Sequence, residues 1–176
     1  MLCVYSTKGL KADLTIEEYN KGVDEWADDA YRFARSCSCD DNKCRDAVQE
    51  AFAKLWERRK SVQIERGKAY LLSTVHNYLV SRFRYDQLRK GIDRVGMVEN
   101  ASCTIEPGTD FELRDALEKA LQSLPPIQRE CLQLRDIEGY TYKEISNILN
   151  LSEDQVSVYL FRAKVTLRKK LIEYKI

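Results

Sequence analysis

The scarcity of proline and glycine constrains the fold of this chain more than any other feature of its sequence. Only 3 Pro and 7 Gly occur among 176 residues, and long stretches contain neither. An all-β fold needs frequent turns, which these residue types would supply. The composition, 44% hydrophobic and 32% charged, is that of an ordinary folded protein. The sequence therefore predicts an all-α protein.

Apolar residues at helical spacing predict three helices within the first ninety residues. Thr15 with Glu18 forms a capping-box signal for the first helix, and Asp40-Asp41-Asn42 offers N-caps for the second. We expect the third helix to follow Gly67. The inward faces are then Tyr19, Val23, Trp26, Ala30 and Phe33 on the first helix, Val48, Phe52, Leu55 and Arg59 on the second, and Leu72, Val75 and Leu79 on the third. Three such helices can bury a shared core.

Helical periodicity disappears between Lys90 and Glu112. Glycines and a proline collect in this stretch, and residues 91–112 hold five acidic residues against a single arginine. A connection of about twenty structureless residues is unusual inside one compact domain. The sequence thus predicts two small helical domains, residues 1–90 and 112–176, joined by a flexible acidic linker over residues 91–111.

The second domain is predicted to end in a helix-turn-helix. A fourth helix carries Leu113, Leu117, Leu121 and Leu124, and a fifth begins at Pro125-Pro126 and runs through Ile127, Cys131, Leu134 and Ile137 to a cap at Gly139. Thr141 and Glu144 cap a short sixth helix, which ends at a tight turn, Asn150-Leu151-Ser152. The last helix would bury Val156, Leu160, Ala163, Leu167 and Leu171.

The net charge of +1 hides two basic zones. Residues 54–90 hold ten Lys/Arg against three Asp/Glu, and residues 156–176 hold six against one. The last helix leaves a polar and basic face outside, which a major groove can accept: Gln155, Ser157, Val158, Tyr159, Phe161, Arg162 and Lys164. Gln can pair with adenine and Arg with guanine, while apolar side chains can touch a thymine methyl. A helical hairpin with a solvated basic face is the alternative for this segment.

Aromatic residues interleave with charges in the first basic zone. The zone contains Tyr70, His76, Tyr78, Arg82, Phe83, Arg84 and Tyr85. Such a mixture is typical of surfaces that stack on unpaired bases and hold the backbone of single-stranded nucleic acid. The helix also needs a buried face, and for several of these rings a place in the core is the favoured interpretation.

Two blocks of the sequence resemble the sigma-70 family of RNA polymerase sigma factors, in its extracytoplasmic-function (ECF) group. Region 2 of that group is similar to Ala30-Tyr31-Arg32-Phe33-Ala34, Asp46-Ala47-Val48-Gln49-Glu50-Ala51-Phe52 with Leu55-Trp56, and Tyr70-Leu71-Leu72 leading to His76-Asn77. Region 4 is similar to Leu124-Pro125-Pro126 with Gln128-Arg129-Glu130, the stretch from Glu138 to Ile145, and Val156 with Arg162-Ala163-Lys164. The resemblance covers about residues 16–90 and 112–173, in the family's order.

The resemblance implies a protein that binds core polymerase and directs promoter-specific initiation. The first domain would dock on the clamp helices of the largest subunit through Asp46, Gln49, Glu50, Phe52 and Trp56, of which Phe52 and Trp56 fit the core equally well. It would melt and read the minus-10 element with Tyr70, Asn77, Arg82 and Arg84. The last helix would read the minus-35 element, beside the flap of the second-largest subunit. An anti-sigma factor is a further implied partner, and the acidic linker would thread a polymerase channel.

Some positions depart from the family pattern. Tyr70 stands where Trp is common, His76 where Arg is common and Ser81 where Asp is common. Ser157 and Tyr159 occupy positions that often carry basic residues. These departures concern strand opening and base preference, and they leave the docking helix unaffected.

Other functions fit the sequence less well. Cys37, Cys39 and Cys44 with His76 offer zinc ligands at a non-standard spacing, so reduced, structural cysteines and no cofactor are expected. A redox pair at Cys37 and Cys39 stays open. No catalytic constellation predicts an enzyme, and no apolar run or signal-peptide pattern predicts membrane insertion or export from the cytoplasm. The competing hypothesis is a dimeric helix-turn-helix regulator that binds DNA without polymerase.

Overall fold

The structure, a computed structural model, describes residues 14–38, 40–90 and 111–173. Within these ranges the chain is helical and contains no strand, which confirms the predicted all-α fold. The helices are α1 (Ile16–Cys37), α2 (Asp41–Glu57), α3 (Ile64–Lys90), α4 (Phe111–Gln122), α5 (Pro126–Leu132), α6 (Tyr142–Leu149) and α7 (Glu153–Glu173). None of the described helices combines the length and the apolar character that a membrane span requires.

Local capping fixes where several helices begin, as the sequence predicted. The hydroxyl of Thr15 accepts a hydrogen bond from the backbone N–H of Glu18, and the Glu18 carboxylate accepts one from the backbone N–H of Thr15. Asp40 caps α2 by accepting from the backbone N–H of Lys43. These side chains satisfy backbone donors that have no partner inside the helix.

Helices α1 to α3 pack together around small residues at their crossings. The buried residues of α2 are Cys44, Ala47, Ala51 and Leu55, so its inward face is turned from the predicted line of Val48, Phe52 and Arg59. Phe52 is only half-buried, and Arg59 lies beyond the end of α2. Alanine lets the helix backbones approach closely, and this close approach pushes the larger side chains to the margin.

Two glycines accommodate the indole ring of Trp26. A Cβ atom at Gly22 would lie 2.7 Å from Cζ3 of Trp26, and one at Gly67 would lie 2.7 Å from Cη2 of the same ring. Gly67 therefore lies inside α3, whose first residue is Ile64, instead of marking its start. The glycine is there for packing, a role that a single sequence cannot distinguish from a helix boundary.

The predicted fifth helix changes from α-helical to π-helical geometry after about two turns. Residues Gln133–Ile137 form a π-helical turn that follows α5 and ends before Gly139, whose φ of +77° suits glycine. The wider turn rotates Ile137 outward, where it is 65% exposed, so its predicted inward place is wrong. On α4 the buried residues include Ala116 and Ala120, whereas Leu117 is exposed.

The two halves of the described chain pack against each other. Helix α5 contacts α1, and α6 contacts α3. Apolar residues of both halves form one continuous buried cluster, from Ala30 and Phe33 on α1 to Leu134 and Ile145 near the helix-turn-helix. Residues 91–110, most of the predicted linker, lie outside the described residues, and Phe111 already belongs to α4.

We predict that Gly67→Ala lowers the stability of the protein. Alanine is favoured over glycine by about 1 kcal/mol in an open helix, but here the added methyl group overlaps the ring of Trp26 and should cost about 1–3 kcal/mol. Urea unfolding followed by circular dichroism measures the change. In a Trp26→Leu background the same substitution should cost nothing, and a higher midpoint for Gly67→Ala alone would contradict the packing argument.

Candidate nucleic-acid and polymerase interfaces

Helices α6 and α7 form the predicted helix-turn-helix. Thr141 and Glu144 make a reciprocal capping box at the start of α6. Asn150 ends α6 in the left-handed region, with φ 55° and ψ 48°, which asparagine tolerates better than most residues. Val156, Leu160 and Ala163 of α7 are buried, as predicted. The fold thus holds one face of α7 against α6 and leaves the opposite face outside.

The outer face of α7 carries the predicted DNA-reading residues. Six of the seven are exposed, and Phe161 is 71% exposed although it is a large apolar side chain. Tyr159 is half-buried and packs against the core. Phe161 and the exposed Val158 lie one turn apart on α7, and such an apolar patch rimmed by polar residues is typical of an interaction surface.

Two of these residues also have structural partners. The side-chain carbonyl of Gln155 accepts from the backbone N–H of Ser152 at 2.9 Å, while the Ser152 hydroxyl accepts from the backbone N–H of Gln155. Gln155 therefore helps cap α7, a role that the spacing Ser-x-x-Gln indicates. The ammonium of Lys164 lies 3.2 Å from a carboxylate oxygen of Asp136. Both side chains are exposed, so this ion pair is weak and leaves Lys164 available to a phosphate.

The candidate minus-10 residues lie along the second half of α3. Asn77 is exposed, and its amide donates to the hydroxyl of Ser73 at 3.4 Å. Arg82 and Arg84 are exposed, as are Phe83 and Tyr85 between and beyond them. Tyr70 and Tyr78 are half-buried and pack on the core, and His76 is buried. The rings of this zone are thus divided between the core and the surface.

The candidate docking residues lie on α2, one turn apart. Asp46 and Gln49 are exposed, and Glu50 pairs with Lys54 at 3.0 Å. Phe52 and Trp56 are half-buried and both meet the ring of Tyr19 edge to face, with centroids 6.4 Å and 4.9 Å away. The polar residues therefore form a surface, and the two aromatic residues support it from beneath.

A lysine ties the two halves of the described chain together. The ammonium of Lys68 on α3 lies 2.5 Å from Asp29 on α1 and 2.7 Å from Glu138 beside the π-helical turn. Burial lowers the pKa of Lys68, but the hydrogen bonds to Asp29 and Glu138 outweigh burial and raise it. Lys68 was absent from the candidate site residues because nothing in the sequence pairs it with residues seventy positions away.

A second polar contact between the halves is buried. Nδ1 of His76 lies 2.7 Å from a carboxylate oxygen of Glu130, and the two residues are 7% and 3% exposed. Cys37, the last residue of α1, adjoins them, and its pKa is raised well above the usual value by burial and by Glu130. The structure thus brings together Cys37 and His76, two of the four potential zinc ligands in the sequence analysis. The third member of the group, Glu130, was not among those four potential ligands.

Among the residues that the structure describes, Cys44 and Cys131 are not part of this group. The thiol of Cys44 donates to the backbone oxygen of Ser38 at 3.3 Å, inside the first three helices. Cys37, Cys44 and Cys131 are free thiols. Cys39 lies outside the described residues, so the redox pair of Cys37 and Cys39 stays a prediction.

The helix-turn-helix places this protein in the broad class of helical nucleic-acid-binding proteins. Comparison with known proteins narrows that class. The family model for Sigma-70 region 2 matches residues 23–89, and the model for Sigma-70, region 4 matches residues 114–167. The chain belongs to the sigma-70 family, in the ECF group of RNA polymerase sigma factors.

Individual relatives agree with this assignment. The ECF RNA polymerase sigma factor SigM of Bacillus subtilis is 29% identical over 146 residues, which are 81% of this chain and 88% of SigM. The ECF RNA polymerase sigma-E factor of Escherichia coli is 26% identical over 138 residues, 72% of either chain. The sigma factor RpoE from Bartonella quintana, solved in complex with the anti-sigma factor NepR, has the same fold, with a TM-score of 0.73, 22% identity and coverage of 89% of this chain and 98% of RpoE.

Family membership settles the general function. The protein is a sigma factor that directs promoter-specific transcription. The dimeric regulator is not favoured, because such a regulator has no need of the region 2 that residues 23–89 match.

We predict that Lys68→Met loosens the contact between the two halves. The substitution keeps the length of the side chain but removes the ammonium that bridges Asp29 and Glu138, which should cost about 1–3 kcal/mol. Arg32 still pairs with Asp29, but it lies 4.0 Å from Glu138 and does not replace the hydrogen bond from Lys68. Urea unfolding should show a lower midpoint, and small-angle X-ray scattering a larger radius of gyration.

The matched control is Lys21→Met. Lys21 pairs with Glu25 at 3.6 Å on the exposed face of α1, and loss of an exposed pair should cost less than about 0.5 kcal/mol. If Lys68→Met were as stable and as compact as Lys21→Met, the lysine would not join the halves.

Proposed function

We propose that this sigma factor divides its work among three helices, in the cytoplasm and without catalysing a reaction itself. Helix α2 docks on the clamp helices of the largest polymerase subunit, α3 reads and melts the minus-10 element, and α7 reads the minus-35 element beside the flap. The observation that carries the proposal is the pair of exposed, basic and aromatic helix faces on α3 and α7 of one chain.

Helix α7 has the properties of a major-groove reader. Val158 and Phe161 are exposed apolar side chains that can contact thymine methyl groups, and Arg162 can form a bidentate contact to guanine. Ser157, Tyr159 and Gln155 provide shorter polar contacts on the same face, and Lys164 a phosphate contact. Because Val156, Leu160 and Ala163 are buried on the opposite side of α7, the core holds this reading face toward solvent.

Helix α3 has the properties of a strand-capturing surface at its C-terminal half. Arg82 and Arg84 supply positive charge for the backbone, and Asn77 one turn earlier supplies an amide for a base edge. Phe83 and Tyr85 are exposed, and unpaired bases can stack on their rings. We add both residues to the candidate minus-10 surface. Tyr70 lies two turns before Asn77 and is half-buried, so it supports this surface from its N-terminal side.

Helix α2 offers a docking surface of opposite charge to the DNA-reading helices. Asp46, Gln49 and Glu50 present acidic and amide groups to solvent. Phe52 and Trp56 fix the helix from below through Tyr19, and Arg59 stacks over Trp56 at 4.2 Å. Separation of the acidic docking face from the basic faces lets polymerase and DNA bind at once.

The two halves must separate before both promoter elements can be bound. The minus-10 and minus-35 elements are about 25 base pairs apart, or about 85 Å at ~3.4 Å per base pair. A compact chain of this length has a radius of gyration of about 16 Å and is only about 40 Å across. The arrangement in which α5 and α6 pack on α1 and α3 is therefore a closed state that opens on polymerase.

An anti-sigma factor is the partner expected to hold the closed state. The RpoE protein of similar fold was solved with such a factor, NepR. We propose that a factor of this kind binds both halves of the present chain and opposes their separation. Threading of the acidic linker through a polymerase channel also stays a proposal, since residues 91–110 lie outside the described structure.

Reconstitution with core polymerase tests the proposed function. The purified chain is mixed with core polymerase from the same source, and transcripts are measured on promoter fragments together with permanganate reactivity of unpaired thymines. Promoter-dependent transcripts and reactive thymines at the minus-10 element are expected. Protection of a palindrome by the chain alone, with no gain of promoter activity by the core, would overturn the proposal.

Asn77→Ala should impair promoter opening. Loss of one base contact of about 1–3 kcal/mol reduces transcription roughly 5- to 150-fold, with fewer reactive thymines and an unchanged affinity for core. The control is Asn20→Ala, an exposed asparagine on α1 that faces no proposed partner. Equal activity of the two variants would remove Asn77 from the minus-10 surface.

Phe161→Ala should weaken use of the minus-35 element without destabilising the fold. The side chain is 71% exposed, so the free energy of unfolding in urea should stay within about 0.5 kcal/mol of wild type. Transcription should fall on promoters that contain a minus-35 element and change little on those without one. Ile137→Ala is the matched control, because Ile137 is equally exposed and apolar but lies outside α7. A similar loss in both variants would argue against recognition by α7.

A further inference from the structure

Three potential metal ligands converge where the two halves of the chain meet. The thiol sulfur of Cys37, a ring nitrogen of His76 and a carboxylate oxygen of Glu130 all lie within 4.8 Å of one another. The three residues come from α1, α3 and α5, so the group joins two helices of region 2 to one of region 4. His76 and Glu130 are buried, and Cys37 is half-buried.

The donor set matches the preferences of zinc. Thiolate, imidazole and carboxylate are the three protein ligands that Zn²⁺ accepts, at about 2.3 Å for sulfur and about 2.0–2.2 Å for nitrogen and oxygen. Ligand atoms around such an ion lie about 3–4 Å apart, so small side-chain movements suffice. The thiol must approach slightly, and the hydrogen-bonded pair of His76 and Glu130, now 2.7 Å apart, must open slightly.

Charge balance favours replacement of the proton on the Cys37 thiol by a divalent ion. A thiolate and a carboxylate carry two negative charges, which one divalent ion neutralises in a buried environment where unpaired charge is costly. Without the ion, burial and the neighbouring Glu130 keep the pKa of Cys37 high and its thiol protonated. On binding, the S–H bond breaks, the proton leaves to solvent, and a metal–sulfur bond replaces it.

We propose that Cys37, His76 and Glu130 bind one divalent ion of the zinc class, and that the bound ion holds the two halves of this sigma factor in the closed arrangement. Three protein ligands leave a fourth position for water, which the half-buried side of Cys37 can admit. The locking role rests on the proposed function, whereas ion binding itself does not.

The lock follows from mass action. An ion that binds only when Cys37 and His76 meet Glu130 raises the ratio of closed to open molecules by the factor 1 + c/Kd, where c is the free ion concentration. At a free ion concentration of 100 times Kd, the ratio therefore rises about 100-fold. Removal of the ion would abolish this factor and let the halves separate, as binding to both promoter elements requires. The site would make the sigma factor responsive to metal supply.

The first experiment measures ion binding on the full chain, without polymerase or DNA. Cys3, Cys39 and Cys103 are first replaced by serine, so that they cannot supply a thiolate. Zn²⁺ affinity is measured by competition with a chromogenic chelator, and Co²⁺ serves as a spectroscopic probe. One ion per chain and a thiolate-to-cobalt charge-transfer band are expected.

Matched variants assign the ligands. In this background Cys37→Ala and Glu130→Gln should weaken Zn²⁺ binding on the order of 100-fold or more, beyond the loss typical of an outer-shell residue. Cys131→Ala removes a buried thiol next to Glu130 but no ligand, and it should bind like the parent. Absence of a bound equivalent, or equal binding by Cys37→Ala and Cys131→Ala, would overturn the site.

The second experiment measures the lock itself. In the Lys68→Met variant, whose halves we expect to separate, Zn²⁺ should restore the compact radius of gyration in X-ray scattering. Addition of Cys37→Ala to that variant should abolish the effect, and addition of Cys131→Ala should not. Binding of Zn²⁺ with no compaction would refute the lock, and none of these results depends on whether the chain supports transcription.

Discussion

The buried pair of His76 and Glu130 is the constraint around which the two halves are arranged. A carboxylate that is 3% exposed must have a partner, because an isolated buried charge is too costly to keep. The partner that Glu130 finds belongs to α3, fifty-four residues earlier in the chain. Lys68 meets the same requirement for Glu138. The contacts of Glu130 with His76 and of Glu138 with Lys68 therefore exist only while the C-terminal half rests on the other.

Local signals in the sequence were sufficient to predict the helices and the helix-turn-helix. The capping boxes at Thr15 and Thr141 and the turn at Asn150 depend on residues within one or two turns of each other, and all are confirmed. The inward face of α7 is confirmed at Val156, Leu160 and Ala163, whereas Leu167 and Leu171 are half-buried. The family resemblance was also carried by local blocks, and the family comparisons confirm it. The exposure of most α7 candidates follows directly from the helical period.

Features that depend on packing between distant segments could not be predicted in this way. Gly67 looks like a helix boundary until Trp26 occupies the space above it, and Ile137 looks buried until the π-helical turn rotates it outward. Glu130 stands in the polar stretch Gln128-Arg129-Glu130, and nothing in that stretch indicates that it is buried against α3. In each case the deciding neighbour lies on another element, or the helix departs from the 3.6-residue period on which the prediction depends.

The polar character of the contact between the halves suits a protein that must open. Apolar residues such as Leu134 and Ile145 belong to the one buried core that both halves share. Separation of an interface made of such residues alone would be costly, because it exposes apolar surface to water. Lys68, His76, Glu130 and Glu138 recover hydration when the halves part, so their polar contacts add less net stability than apolar packing of the same volume. The same groups require defined partners, so they set how the halves fit together. An interface of this composition combines a specific closed state with a modest free energy of opening, which binding to polymerase can supply.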